Sequence, residues 1–159
     1  MEKVYLGKIV STHGIKGELK IKSNFPYKEK AFKIGNQLII DNKKYEIKTY
    51  RVHKQFDMVT LDDYHDINEV LFLLKKSVYI EKEDLSLDKN QVLDEELMTY
   101  QVLTTEGKRG IIKEIFLASP TNKIMRVELE NEILVPLNSP LVKIDVDKKE
   151  IIIDAMLEM

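Results

Sequence analysis

The sequence predicts an all-β protein with one or two short helices, folded as two tandem small β-barrels. Three observations carry this. The first half holds about six short runs of β-forming residues at close spacing, and the second half holds three hairpin-like pairs. One segment alone has helical periodicity. A charged, aperiodic stretch separates the halves.

In the first half, "VYLGKIV" (residues 4–10) is rich in β-formers, and "GELKIKS" (17–23) alternates with period two. "QLII", "YEIKTYRV", "MVTL" and "VYI" follow, with Gly35-Asn36 and Asp41-Asn42 marking turns. The helical exception is "DINEVLFLLKK" (66–76), where Ile67, Val70, Leu71 and Leu74 fall on one face. Asp66 stands as its N-cap, Glu69 completes a capping-box-like signature, and Lys75 and Lys76 suit its C-terminal end. This helix is expected to plug one end of the first barrel.

"EKEDLSLDKNQVLD" (81–94) is charged and has no clean period, as domain boundaries often are. The expected organisation is a first barrel over 1–82, a linker over 83–94 and a second barrel over 95–159. In the second half, hairpins are expected to turn at Glu106-Gly107-Lys108, near Asn131 and at Asp147-Lys148-Lys149.

Composition narrows the function classes. The chain has 159 residues, 43% of them apolar and 33% charged, which is a globular composition. It has no cysteine, so disulfides and thiolate metal sites are excluded. The start lacks a secretory apolar region, and the longest apolar runs fall far short of the ~20 residues that span a bilayer. A cytoplasmic protein with no membrane partner is expected. Residues 1–80 carry 15 Lys and Arg against 10 Asp and Glu, a net +5. Residues 81–159 carry 10 against 17, a net −7. Such halves suit different partners, or different parts of one partner.

No metal-ligand spacing, P-loop, dinucleotide-binding glycine pattern or nucleophile elbow is present. "HKQFD" (53–57) has the residue types of a base with an orienting carboxylate, but a strand end entering a turn accounts for it. "DDYHD" (62–66) has the residue types of a cation site, but a loop leading to a helix cap accounts for it. No catalytic residue, metal or cofactor is assigned, and a non-enzymatic role is expected. A small RNA-directed hydrolase using His13 and an acidic neighbour is the alternative. Cleavage of precursor rRNA by the pure protein, abolished by His13→Ala, would mark it.

The stretch "STHGIKGELKIKS" (11–23) carries the binding expectation. Gly14-Ile15-Lys16-Gly17 has the bare G-x-x-G spacing of a backbone-clamping loop, and equally the glycines of a hairpin turn. In the strand that follows, Leu19 and Ile21 point one way. Lys20 and Lys22 point the other, beside Lys16 and near His13. Such a cluster suits phosphates or an acidic or mixed protein surface, and with no exposed aromatic pair alternating with the lysines a base-stacking platform is not expected. The expected partner-binding edge is His13, Gly14, Lys16, Gly17, Glu18 and Lys20. The glycines shape the backbone, the lysines donate, and Glu18 is free to meet a basic partner residue.

"VYLGKIVSTHGIKGELKIKS" closely resembles the start of the RimM family of bacterial ribosome maturation factors, G-K-I-V-x-x-H-G-[IL]-K-G-E-[VL]-K-[VI]. "DDYHDINEVLFLLKKSVYIEKEDL", "TTEGKRGIIKEIF", "EILVPL" and "VKIDVDKKEIIID" resemble later family segments in order. The resemblance implies a translation-factor-like N-terminal barrel followed by a PRC-type barrel. It implies a monomeric, non-enzymatic assembly factor without cofactors. Its partners would be the immature small ribosomal subunit and the head-region ribosomal protein S-nineteen, with rRNA contact compatible. A generic PRC-barrel adaptor is the remaining alternative. The chain departs from the family at Val92 and Leu93, where two consecutive aromatics are usual. Contacts made through that aromatic pair do not carry over.

Overall fold

In the computed structural model, residues 2–119 and 121–158 are described, and the chain divides into two compact units, Met1–Leu87 and Asp88–Met159. The division falls inside the charged segment 81–94.

The first unit is a closed barrel of six strands: β1 (Lys3–His13), β2 (Glu18–Lys22), β3 (Gln37–Ile40), β4 (Lys43–His53), β5 (Phe56–Leu61) and β6 (Ser77–Glu81). They close in the order β1-β2-β5-β4-β3-β6, with every neighbouring pair antiparallel. Period-two patterning explains the fill: Leu19 and Ile21 of β2, Val59 and Leu61 of β5, and Val78 and Ile80 of β6 are fully buried. Closure depends on the long β1. Its first half pairs with β6 and its second half with β2, with a register shift in each ladder, between Tyr5 and Gly7 and between Ile9 and Ser11. Such irregularities bend a strand and let one sheet curl onto itself. At Gly7 the chain passes so close to β2 that a Cβ would lie 2.2 Å from the Lys22 carbonyl oxygen.

The helical segment is shorter than its periodicity predicts. After α1 (Lys28–Ala31) in the β2–β3 connection, α2 covers only Ile67–Val70 and passes into a 3-10 turn over Leu71–Leu73. Asp66 is the N-cap, its carboxylate accepting from Asn68 N–H at 2.7 Å. Glu69 reaches past the cap and accepts from His65 N–H at 3.1 Å. The buried face is Val70 and Leu73, whereas Leu71 is 46% exposed. Helical geometry stops at Leu74, which is extended, and Lys75 has φ +66°. Lys75 and Lys76 therefore serve no helix end. Lys75 N–H donates to Ile9 C=O at 2.8 Å, and the Lys76 side chain pairs with Asp41.

Within the segment expected to link the units, α3 (Lys82–Leu85) buries Leu85 in the first unit. Val92 and Leu93, which replace the family's aromatics, are both buried in the second unit just before α4 (Asp94–Leu97).

The second unit holds β7 (Gln101–Thr104), β8 (Arg109–Ser119), β9 (Asn122–Glu128), β10 (Glu132–Pro136), β11 (Val142–Asp145) and β12 (Glu150–Ile153). They form one sheet in the order β10-β9-β8-β7-β12-β11, in which β12 and β7 run parallel. The three expected hairpins are present at the expected turns. Val102, Met125, Val127, Val135, Ile151 and Ile153 are completely buried in its core, with Val92 and Tyr100 packed among them.

Candidate partner-binding rim of the first barrel

The β1–β2 hairpin turns through Gly14 at φ +69° and Gly17 at φ +86°, backbone conformations that suit glycine. Gly17 also lies under α2, where a Cβ would stand 3.3 Å from the Asp66 carbonyl oxygen. The turn is tied down from that side, since Ile67 N–H donates to Ile15 C=O at 2.9 Å. The tip is thus a fixed shape. It presents Lys16 and the 77%-exposed Ile15 to solvent. A concavity of about 420 Å³ opens beside it, lined by His13, Gly14, Ile15, Lys16, Glu18 and Thr60.

Four of the six expected edge residues, His13, Gly14, Lys16 and Glu18, line this concavity, and not all have the roles expected of them. Glu18 does not stand free. Its carboxylate is held in a two-pronged bond by Arg51 of β4, with Nε to Oε2 at 2.9 Å and Nη2 to Oε1 at 2.7 Å. The planar guanidinium matches the carboxylate fork, which favours this pairing over one to a mobile partner. The Arg51 hydrogen bonds hold the Glu18 carboxyl below its usual pKa. Burial opposes them, and the charges of Arg51, His13 and His53 add to the lowering. The Lys20 Nζ lies 4.9 Å from the centre of the Phe56 ring.

Three participants come from the β4–β5 hairpin and were not found by reading the sequence: Arg51, His53 and Phe56. The His53 ring lies 5.2 Å from the His13 ring, centre to centre. Burial first, then the charges of His13, Arg51, Lys54 and Lys20, hold His53 below the usual imidazole pKa. The hairpin reverses through Lys54 (φ +48°) and Gln55 (φ +70°), neither of them the Asn or Gly that marks such turns. The alternating parity of Arg51 and His53 along β4 was the one available signal.

The two candidate chemical clusters dissolve in the folded chain. Asp57 does not orient His53. It is fully buried, accepts from the Tyr50 hydroxyl at 2.5 Å, and its Oδ2 is 2.7 Å from Lys28 Nζ, a charge contact rather than an aligned hydrogen bond. Burial first, then the hydrogen bond to Asp57, pushes the Tyr50 phenol well above its usual pKa. Tyr50 in turn stacks on Phe32, rings 5.4 Å apart and nearly coplanar. The cluster fastens the β2–β3 connection to the barrel. Asp62 accepts from Glu46 N–H at 2.7 Å and Asp66 caps α2. Among the described residues no group of three His, Cys, Asp or Glu side chains is placed to hold a metal ion, and no helix is long and apolar enough to cross a membrane.

The fold is that of a two-unit, mostly β protein whose first unit is a closed six-stranded barrel with two hairpins meeting at one rim. That first unit matches the family model for the RimM N-terminal domain over residues 4–85. The whole chain is similar to the ribosome maturation factor RimM of Staphylococcus aureus strain MRSA252, at 33% identity over 162 aligned residues, covering 97% of this chain and 96% of that protein. The chain belongs to the RimM family. Among solved structures, it resembles a RimM protein from Pseudomonas aeruginosa at 23% identity and a TM-score of 0.48, covering 96% of this chain and 97% of that one. The N-terminal domain of RimM from Thermus thermophilus gives 19% identity and a TM-score of 0.47, covering 55% of this chain and 98% of that one.

Proposed function

We propose that this chain is a ribosome maturation factor that binds the immature small ribosomal subunit and assists rRNA processing and late maturation of the head. The observation that supports this most is the near full-length similarity to a ribosome maturation factor. The docking edge is the rim at His13, Gly14, Lys16, Gly17, Glu18 and Lys20, on a first barrel assigned to residues 1–82. A linker over 83–94 leads to a second barrel over 95–159. The protein partner is ribosomal protein S-nineteen of the head. The second half, with its excess of carboxylates, suits a basic ribosomal protein better than it suits RNA. The factor works in the cytoplasm, as a monomer, and makes or breaks no covalent bond.

The mechanism is selective binding. A ligand moves a conformational equilibrium only by its difference in affinity for the two states, and tenfold preference is worth about 1.4 kcal/mol. A factor that grips the unfinished head tenfold better than the finished one both favours the intermediate and leaves when it is gone. The rim supplies pre-organised shape through the Gly14–Gly17 turn and charge-assisted donors through Lys16 and Lys20. Glu18 contributes from within, by locking Arg51 across the sheet.

Co-sedimentation with precursor and mature small subunits tests the reading. The chain is expected to pellet with precursors and not with mature subunits. The Lys16→Glu, Lys20→Glu double variant is expected to lose that association at least tenfold. Unchanged association of the double variant removes the rim from the contact.

A further inference from the structure

Lys8 of β1 and Lys22 of β2 are directly opposite one another and exposed. Like charges at this position destabilise a sheet. Neither makes an ion pair with an acidic side chain among the described residues, and the same holds for Lys20 and Lys54. Lys54 also occupies a turn position with φ +48°, where Asn or Gly is the less strained choice. Lys20 and Lys22 are two residues apart on one strand, about 6.8 Å along it. That is close to the spacing of successive phosphates in a polynucleotide. Lys20 holds its ammonium over Phe56, which is half-buried. The Glu18 carboxylate, on the same strand, is already neutralised by Arg51.

We infer that this outer face of the first barrel, from Lys8 and Lys22 through Lys20 to Lys54, binds single-stranded RNA, with phosphates on the lysines and a base against Phe56 and His53. A row of uncompensated cations beside an aromatic ring is what such a strand needs. An acidic protein surface would satisfy the charges but would leave the ring without a stacking partner. Only the choice of RNA as the polyanion rests on the assembly-factor reading. Free protein and free RNA test the face without subunits, so the failure of one is distinguishable from the failure of the other.

The experiment is fluorescence anisotropy of a labelled 12-nucleotide single-stranded RNA against the full chain, over a series of potassium chloride concentrations. Four phosphate contacts predict a slope of log affinity against log salt of about −2.8, since each contact contributes about −0.7 on single strands. Lys22→Glu is expected to weaken binding at least fivefold and to flatten the slope by about 0.7. Lys22→Arg is expected to restore both. Phe56→Ala is expected to weaken binding about tenfold with the slope unchanged, because stacking carries no counterion. Lys22→Glu replaces a like-charged pair by an opposite one, so its melting temperature is expected to hold or rise and a folding defect cannot mimic the loss. Lys143→Glu in the second unit makes the same change in net charge and is expected to leave binding alone. Equal losses from Lys143→Glu and Lys22→Glu, equal affinity for a duplex of the same length, or no binding at low salt would each overturn the assignment. Loss of precursor-subunit binding by Lys22→Glu with RNA affinity intact would give this face to a protein instead.

Discussion

Two like-charged pairs directly across neighbouring strands, one in each unit, are handled in opposite ways, while a third, Asp145 and Glu150 of the second unit, has no ion-pair partner among the described residues. In the second unit Glu128 of β9 faces Glu132 of β10. Lys113 pairs with Glu128 at 2.9 Å, and Arg126 pairs with Glu132 at 3.0 Å and with Glu114 at 3.1 Å. Arg126 also lies 5.9 Å from the Phe116 ring. The acidic pair is compensated within its own sheet. In the first unit Lys8 faces Lys22 with no such compensation among the described residues. Carboxylates are available to that barrel, yet Glu18 is committed to Arg51, Asp57 to Tyr50 and Lys28, and Asp66 to the cap of α2. Compensated charge of the first kind belongs to folding. On the first barrel the uncompensated lysines remain available to a partner.

Variants in both units test that contrast. The largest expected effect concerns the support beneath the faces. Ile21→Ala empties a fully buried site in the first barrel and is expected to cost about 2–5 kcal/mol in urea unfolding. Leu134→Ala, at a position 57% exposed in the second unit, is expected to stay within about 0.5 kcal/mol. Next comes the helix that pins the rim. Asp66→Ala removes the cap bond to Asn68 and is expected to cost about 0.5–2 kcal/mol, with faster hydrogen exchange at Asn68 and Ile67.

Charge reversal addresses the two pairs directly. Lys22→Glu is expected to stabilise the first unit by about 0.2–1 kcal/mol while weakening partner binding. Arg126→Glu in the second unit is expected to lower the melting temperature, because it leaves Glu114 and Glu132 uncompensated. If both reversals destabilised equally, the contrast between spare and committed charge would fail.

The smallest expected effect is on pH dependence. His53 is held below its usual pKa, so the neutral ring favours the folded state, and that contribution is present above about pH 6.5 and lost as pH falls through the folded value. Glu18 is also lowered, so its contribution is present above the usual carboxylate pKa and lost as pH falls through its folded value. Both effects weaken the rim in acid, in two successive ranges. His53→Gln is expected to remove the upper part of the pH dependence of melting, and Glu18→Gln the lower part.

Much of the architecture was legible from local pattern. Among the described residues the strands fall where the runs of β-forming residues are read, with period-two alternation explicit in 17–23. The helix over 66–76 was overextended because its periodicity was real but its continuation was not favoured. Chain direction reverses at Leu74 and Lys75 to pair with Ile9, a contact distant in sequence. Half of the rim was legible too, in the glycines and lysines of one contiguous stretch. Arg51, His53 and Phe56 were not. Arg51 lies 33 residues from Glu18, and nothing local to "YRVHKQF" announces that separation will close.

The sequence by its own pattern established the inward faces of strands such as β2, most of the turns, and the division of basic and acidic residues between the halves, because these follow from side-chain periodicity and composition; the helix face, where Leu71 is exposed, it did not. Only the tertiary structure decided which charges are spent and which are spare. Barrel closure brings β4 within reach of β2, gives Glu18 its partner and leaves Lys8, Lys20, Lys22 and Lys54 without an acidic one among the described residues. Whether a charge finds a counter-charge depends on distances of a few ångströms between residues far apart in the chain, and those distances exist only once the sheet has closed.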